Sequence, residues 1–117
     1  MVHSESLKKN SDFQKVYREG TSYANRYLVM YVLENQYNRN RLGISVSKKT
    51  GNSVVRHRIT RLIREIYRLD EMRFKTGTDI VVIARPAAKG RNYHDLKKDF
   101  FHLAAKHSII LPEEKLE

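Results

Sequence analysis

The feature that most constrains the fold of this chain is a helical period that runs from residue 50 to residue 69. Apolar residues recur there at spacings of three and four, and Gly51 and Asn52 supply a break and an N-cap in front of them. The apolar stripe consists of Val55, Ile59, Leu62, Ile63, Ile66 and Leu69. At about 100° per residue the opposite side carries Arg61, Arg64 and Arg68, with Arg56 and Arg58 at the margins of the stripe. The period therefore predicts a helix that packs one face on a core and presents an arginine face.

Five further segments have the pattern of a regular element. Helices are predicted at residues 11–19 and 93–106, and strands at residues 27–33, 41–46 and 79–84. Ser11 and Gly20 are the expected caps of the first helix. The first two strands are expected to pair as a hairpin, whereas the third is apolar at consecutive positions, which is typical of a strand covered on both faces or central in its sheet. The order helix, strand, strand, helix, strand, helix predicts a small α+β fold.

The length of 117 residues predicts one domain, residues 1–117. Its ordered core is expected to span about residues 7–108, and residues 112–117 are expected to form a loose polar tail. The chain has no cysteine, which excludes disulfides, a thiolate nucleophile and a cysteine-based zinc site and suits the cytoplasm. Its five histidines show no spacing typical of metal ligands, so any metal site stays undefined.

The charge balance of the chain indicates a polyanionic partner. Its 23 Lys and Arg residues outnumber 13 Asp and Glu residues, which gives a formal net charge of +10. Nucleic acid is the first candidate for such a partner. A membrane is not expected, because no stretch approaches the roughly 20 apolar residues of a spanning helix and the N-terminus lacks the apolar core of a signal peptide.

The arginine face indicates RNA binding more specifically than the net charge does. A guanidinium group reaches a phosphate with two parallel hydrogen bonds and also stacks on bases. The alternative is an ordinary solvated helix face, since Arg is a good helix former, but the net charge favours binding. Lys48 and Lys49 stand just before the helix, so two lysines and the positive end of a helix dipole form an anion-binding arrangement. An ordinary N-capped helix start is the alternative there, because the two spaced glycines of a nucleotide-binding loop are lacking.

Aromatic residues near these basic segments have two interpretations. Phe13 and Tyr17 share one face of the first predicted helix, and Tyr31 lies in the strand that follows. Such residues are often part of a core, but they can also stack on unpaired bases, and the residues alone leave both interpretations open. The chain shows no nucleophile with its base and no convergent pair of carboxylates, so hydrolysis by this chain alone is not expected.

A resemblance to a known family rests mainly on residues 41–65, which read RLGISVSKKTGNSVVRHRITRLIRE. It extends to NSDFQKVY at residues 10–17, ANR at residues 24–26 and IVVIARPA at residues 80–87. On these motifs the chain resembles the bacterial ribonuclease P protein subunit. The resemblance implies a protein that joins a catalytic RNA to cleave the 5′ leader from precursor tRNA, with the RNA holding Mg²⁺ and performing the hydrolysis.

The resemblance also implies a fold and a set of site residues. The fold is a two-layer α+β domain like the second domain of ribosomal protein S5, a small mixed sheet with helices on one side and a left-handed βαβ crossover, where general rules favour the right hand. The contacts to the catalytic RNA fall on Lys48, Lys49, Asn52, Arg56, His57, Arg58, Arg61, Arg64 and Arg68. The aromatic positions of a cleft for the precursor tRNA leader fall on Phe13, Tyr17 and Tyr31, which favours stacking for these residues.

The chain departs from the family pattern at two positions of the arginine-rich motif. His57 stands where the family usually has Asn, and Thr60 stands where Lys is common. His57 can still donate and accept hydrogen bonds, but one amide and one charge of the usual set are missing. A ribosomal or ribonucleoprotein-assembly protein that binds structured RNA without processing it is the alternative function.

Overall fold

The computed structural model describes residues 1–111, so the predicted tail at residues 112–117 lies outside the described residues. The described chain contains five strands and three helices of regular α form. In chain order they are β1 (Ser4–Ser6), α1 (Asn10–Glu19), β2 (Thr21–Ala24), β3 (Leu28–Glu34), β4 (Asn40–Val46), α2 (Ser53–Leu69), β5 (Thr78–Ala84) and α3 (Tyr93–Lys106). All six predicted elements are confirmed, and β1 and β2 are additional.

The strands form one mixed sheet in the order β1-β4-β5-β3-β2. β4 runs parallel to β1 and β5, whereas β3 is antiparallel to both β5 and β2. The predicted hairpin between the strands now labelled β3 and β4 is wrong, because β5 lies between them. β5 is apolar along most of its length, and its central position gives it a paired strand on each edge. The hairpin that is present joins β2 to β3. α2 connects the adjacent parallel strands β4 and β5, which forms the predicted βαβ unit, and the left hand of its crossover stays a prediction.

The side chains of β5 alternate between two apolar clusters on opposite faces of the sheet. Ile80 and Val82 belong to the larger cluster, which contains the buried residues of α2 and α3. Val81 belongs to the smaller cluster, together with Val16 of α1. The mixed α+β sheet is therefore confirmed, but the predicted two layers with helices on one side are corrected to three layers, with α1 on the opposite face. The physical reason is the near-complete burial of β5, which requires cover on both faces.

The larger cluster is built from the apolar faces of α2 and α3. Its fully buried members from these helices are Ile59, Ile63, Ile66 and Tyr67 of α2 and Leu96, Phe100, Leu103 and Ala104 of α3. Burial of a large aliphatic or aromatic side chain stabilises the fold by about 1.5–3 kcal/mol. Leu69, predicted on the apolar face, is 56% exposed because it is the last residue of α2, and Tyr67 is the core residue near this end of the helix.

The predicted helix caps have different outcomes. Asn52 caps α2 as predicted, since its side-chain oxygen accepts a hydrogen bond at 3.0 Å from the backbone N–H three residues later. Gly20 follows the last residue of α1, also as predicted. Ser11 does not cap α1, because the helix begins one residue earlier and Lys9 occupies the cap position.

Strand β1 has no sequence signature, because its Ser-Glu-Ser sequence shows no apolar alternation, and it precedes residue 7, the predicted start of the ordered core. It pairs with the edge of β4. Ser4 and the buried Tyr67 share a hydrogen bond of 2.7 Å between their hydroxyl groups. The buried carboxylate of Glu71 accepts hydrogen bonds from the backbone N–H groups of Val2 at 3.1 Å and His3 at 3.2 Å. Glu71 thus anchors the start of the chain to the turn that follows α2.

We expect Glu71→Gln to destabilise the fold and to reduce its acid sensitivity. Burial alone would raise the pKa of Glu71, but hydrogen bonds from Ser4, His3 and Val2 and the nearby amino terminus lower the pKa below its ordinary value. A carboxyl with a lowered pKa contributes stability that is complete above the ordinary pKa and is lost as pH falls through the lowered one. Urea unfolding of both proteins from neutral pH to about pH 3 measures this. Equal losses of unfolding free energy on acidification in the two proteins would contradict the assignment.

Candidate RNA-binding surfaces

α2 presents the predicted arginine face to solvent, opposite the residues that it buries in the core. The exposed members are His57, Arg58, Arg61, Arg64 and Arg68, and Arg56 is half-buried at the margin. The structure therefore brings five of the predicted contacts of α2 together on one exposed side of the helix and places the sixth at its margin. Their binding of RNA stays a prediction.

The arginines of this face differ in how far the protein itself satisfies them. Arg61 and Arg64 form no hydrogen bond or ion pair through their side chains with any residue in the range 1–111. Arg68 is paired with Glu65, one turn earlier, through two contacts, of which the Nε–Oε2 distance is 3.0 Å. The hydrogen bond from Arg68 lowers the pKa of Glu65, so this carboxylate stays charged at neutral pH. Two guanidinium groups are thus available to a phosphate, and a third is shared with a carboxylate.

The amino end of α2 carries the remaining predicted contacts. Lys48 and Lys49 are exposed in a short turn just before the helix, where the helix dipole is positive. The side-chain oxygen of Asn52 is engaged in capping, which leaves the amide N–H groups of Asn52 for an anion. Thr60 donates its hydroxyl to the backbone carbonyl of Arg56 at 3.0 Å, so this side chain is satisfied within the helix.

The three predicted aromatic residues lie together on the other face of the sheet. The ring centroids of Phe13 and Tyr17 are 6.4 Å apart, and those of Tyr17 and Tyr31 are 5.1 Å apart. All three residues are half-buried and pack against the smaller core cluster. The core interpretation is therefore confirmed in part, since each ring packs in a core, and stacking on unpaired bases stays a prediction that the remaining solvent exposure of these residues permits.

The sheet surface beside these rings is partly open. The strand register places Val29, Ile83 and Ser45 in one row across β3, β5 and β4, and all three are half-buried. Burial raises the pKa of the Tyr17 hydroxyl more than its hydrogen bond with Ser45 lowers it, so the hydroxyl stays protonated at neutral pH. We call this surface the aromatic cleft; its wall is Phe13, Tyr17 and Tyr31, and its floor is Val29, Ser45 and Ile83.

Two contacts of β4 fix the position of the aromatic wall. Gly43 leaves room for the ring of Phe13, since a Cβ atom at position 43 would lie only 2.7 Å from that ring. Arg41 binds Asp79 through hydrogen bonds of 2.8 and 2.7 Å and approaches Asp12 of α1 to 3.5 Å. The amino end of α1 is thus tied to the sheet by ion pairs next to the place where Phe13 packs.

We expect Gly43→Ala to displace the ring of Phe13 and to weaken binding of short single-stranded RNA. The ring is the far end of a flexible side chain, so it can swing away, at a cost of about 1–3 kcal/mol in unfolding free energy for the overpacked site. Fluorescence anisotropy with a labelled RNA oligonucleotide measures the binding. The matched control is the same substitution in a Phe13→Ala background, where little further loss is expected; an equal loss in both backgrounds would contradict the steric explanation.

A group of arginines that sequence reasoning missed lies where β4 and β5 end and β3 begins. We call Arg26, Arg85 and Arg91 the arginine cluster. Arg26 and Arg91 place their guanidinium carbons 5.3 and 5.4 Å from the ring centre of Tyr27, and Arg85 donates to a backbone carbonyl of the β2–β3 connection at 2.7 Å. Arg58 of α2 donates to the carbonyl of Arg91 at 3.1 Å, so the arginine cluster contacts the arginine face. The available signal was a basic residue close to a strand end, since Arg85 directly follows β5 and Arg26 lies in the short connection before β3.

Residues 1–111 contain no group of three or more His, Asp or Glu side chains that could hold a metal ion. No helix in this range has the length and apolar character needed to cross a membrane. A cavity of about 600 Å³ beside β2 is lined by residues of both charge signs, among them Glu19, Glu34, Lys75 and Lys106.

The chain is similar over most of its length to proteins of one family. A family model described as Ribonuclease P matches residues 1–108. The Ribonuclease P protein component of Lachnoclostridium phytofermentans is 57% identical over 111 residues, which are 95% of this chain and 96% of the relative. The Ribonuclease P protein component of Alkaliphilus metalliredigens is 47% identical over 110 residues, which are 94% of this chain and 99% of the relative.

Solved structures show the same similarity. The RNase P protein of Staphylococcus aureus has a TM-score of 0.84 at 40% identity, covering 90% of this chain and 96% of that chain. The RNase P protein of Thermotoga maritima has a TM-score of 0.80 at 30% identity, covering 87% of this chain and 96% of that chain. The shared structure therefore includes nearly all of the three-layer fold described above.

Proposed function

The chain belongs to the ribonuclease P protein family and is a subunit of that tRNA-processing ribonuclease, and from this premise we propose separate binding roles for its two surfaces. The arginine face of α2, with Lys48, Lys49 and Asn52, binds the catalytic RNA. The aromatic cleft binds the single-stranded 5′ leader of precursor tRNA. The observation that carries the proposal is the separation of the two surfaces, since α1 and α2 pack on opposite faces of one sheet.

Binding of the catalytic RNA by α2 is supported by Arg61 and Arg64, whose side chains are unpaired within residues 1–111. These residues lie three positions apart, so both side chains project from the same exposed side of the helix. Each can form two hydrogen bonds with a phosphate, and each phosphate that is neutralised releases condensed counterions. Arg68 contributes less, because an RNA phosphate competes with Glu65 for its guanidinium group.

Binding of the leader in the aromatic cleft is supported by the exposed ring surface of the wall. Single-stranded RNA has unstacked bases, and aromatic side chains hold such bases with little sequence preference. The hydroxyls of Tyr17 and Ser45 add polar groups at the boundary of wall and floor. The arginine cluster lies at the end of the sheet nearest the start of α2, so it can contact phosphates of a strand that runs from the cleft to the catalytic RNA.

We assign the cleavage step to the RNA subunit, as the family resemblance implies. The RNA then supplies phosphate oxygens for Mg²⁺, which prefers oxygen ligands. The protein raises the affinity for precursor tRNA and reduces phosphate repulsion in the complex, so less Mg²⁺ is required. We also place this activity in the cytoplasm, which suits a chain without cysteine.

Reconstitution with a bacterial ribonuclease P RNA tests the proposed function. Cleavage of a precursor tRNA is measured at a Mg²⁺ concentration that is too low for the RNA alone, with and without this protein. We expect formation of the mature 5′ end only when both RNA and protein are present. The protein without the RNA is the control for cleavage by the chain itself.

Two outcomes would overturn this proposal. Binding of the RNA without stimulation of cleavage would favour a ribonucleoprotein-assembly protein that does not process tRNA. Cleavage by the protein in the absence of RNA would place a nuclease site in this chain.

A further inference from the structure

One flank of α3 carries a basic groove that belongs to neither surface described above. The groove has a volume of about 510 Å³. It is lined by Arg73, His94, Lys97, Lys98, Phe101, Ala105 and Ile110, which we call the α3 groove. None of these residues is acidic, whereas the cavity beside β2 contains both charge signs. The α3 groove therefore suits an anionic occupant.

The spacing of its residues shows that the groove is one continuous face of α3. Positions 94, 97, 98, 101 and 105 fall on one side of a helix with 3.6 residues per turn. The core-facing side of α3 is occupied by other residues, Leu96, Phe100 and Leu103, which are fully buried. His94 and Lys98 are exposed, and Lys97 and Phe101 are half-buried, so charged groups and ring surface are both accessible.

The ring of Phe101 has two cationic groups close to it. The guanidinium carbon of Arg73 is 5.2 Å from the centre of its ring, and the Nζ atom of Lys97 is 5.9 Å from it. Lys97 also approaches the carboxylate of Asp70 to 3.8 Å, a partly exposed contact for which a phosphate can compete. A ring flanked by cations can hold one nucleotide, the base by stacking and the phosphate by charge.

The α3 groove adjoins the end of the arginine face. Asp70 directly follows α2, and its contact with Lys97 joins the end of that helix to α3. Arg68 lies two residues before Asp70 and is exposed. α2 and α3 also share the larger core cluster, on the face of the sheet opposite the aromatic cleft. An RNA on the arginine face can therefore continue into the α3 groove, whereas a leader in the aromatic cleft cannot.

We propose that the α3 groove is a second contact for the RNA subunit, in which an unpaired base stacks near Phe101 and Lys97 and Lys98 bind adjacent phosphates. This inference rests on the proposed function, because it assumes that α2 binds the catalytic RNA. It extends the RNA footprint from one helix to two. The occupant is RNA because the groove combines three cationic side chains, without an acidic one in its lining, with an accessible aromatic ring.

The first test compares two double variants that remove the same charge. Lys97→Ala with Lys98→Ala removes two cations of the groove, and Lys15→Ala with Lys106→Ala removes two exposed lysines elsewhere. Binding to a bacterial ribonuclease P RNA is measured over a range of salt concentrations. We expect the groove variant to lower the slope of log affinity against log salt by about one to two units, and the control to leave it unchanged.

The second test uses Phe101→Leu, which keeps apolar packing and removes the ring. We expect RNA affinity to fall about tenfold, while the preference of the holoenzyme for precursor over mature tRNA stays at the wild-type value. Thermal unfolding checks that each variant folds. If Phe101→Leu does not fold, the lysine double variant alone tests whether the α3 groove contacts the RNA.

The outcomes separate this inference from the proposed function. Wild-type affinity and slope in both groove variants, with normal stimulation of cleavage, would overturn only the second contact. Failure of the wild-type protein to bind the RNA would overturn both. Self-association of the free protein that the groove variants abolish, with unchanged RNA binding, would make the α3 groove a contact between two copies and would also overturn the inference.

Discussion

Replacing Arg61, Arg64 and Arg68 together with alanine is expected to weaken binding of the catalytic RNA by about 60- to 500-fold at 0.1 M salt, since each phosphate contact contributes roughly eightfold there. The lower figure corresponds to two contacts and the higher to three. The slope of log affinity against log salt should fall by about two to three units. The smaller loss applies if Arg68 stays paired with Glu65 and contacts no phosphate. Filter binding or anisotropy over a salt series measures both quantities.

Two conservative variants serve as controls for the arginine face. Arg61→Lys with Arg64→Lys keeps the charge but removes the bidentate fork, so we expect the slope to be retained and the affinity to fall. Glu65→Gln removes a carboxylate and releases Arg68, so we expect tighter RNA binding. An unchanged slope in the triple alanine variant, or weaker binding by Glu65→Gln, would show that the arginine face does not contact phosphates.

Replacing Phe13 and Tyr17 with alanine is expected to weaken the binding of leader-bearing precursor far more than the binding of mature tRNA. Stacking contributes about 1–3 kcal/mol per base, or roughly 5- to 150-fold in affinity for each ring that stacks. Mature tRNA lacks the leader, so its affinity should be nearly unchanged. Competition binding of the two tRNAs to the reconstituted holoenzyme measures the difference.

Because both rings also pack in a core, the alanine variants need partners that preserve the fold. Phe13→Leu and Tyr17→Leu keep much of the apolar packing and remove the aromatic face. Tyr17→Phe keeps the ring and loses only the hydrogen bond with Ser45, so it should retain most of the leader preference. Equal losses of affinity for precursor and mature tRNA in the leucine variants would show that these residues only pack in the core and do not bind the leader.

The sequence patterns predicted local elements well and tertiary arrangement less well. α2 was predictable because six apolar residues repeat with its period, and the same period placed the arginines outside. The β3–β4 hairpin was wrong because pairing is decided by which strand is buried on both faces, and that information lies in β5 rather than in either partner. β1 was not predicted, because the contacts that hold this end of the chain are made with Glu71 and Tyr67, which are remote in sequence.

The arginine face and the aromatic cleft also differ in how far the sequence alone predicted them. The arginine face lies on one helix, so the residues alone could place it. The aromatic cleft combines residues of α1 with residues of three strands. The residues alone do not distinguish a core role from a stacking role for its rings, and only the family resemblance favours stacking. The arginine cluster is formed by two connections, β2–β3 and β5–α3, which meet because the start of β3 lies beside the end of the antiparallel strand β5. No local sequence pattern predicts that these connections lie close together.

The claim that the two surfaces act separately can be tested by one measurement on two variants. The ratio of precursor to mature tRNA affinity is determined for holoenzymes that contain Arg61→Ala with Arg64→Ala, or Tyr17→Leu, at protein concentrations that saturate the RNA. We predict that the arginine variant needs more protein to saturate the RNA but then shows the wild-type ratio. Tyr17→Leu should saturate the RNA like the wild type and lower the ratio about tenfold. A proportional loss of RNA affinity and of the ratio in both variants would contradict separate roles.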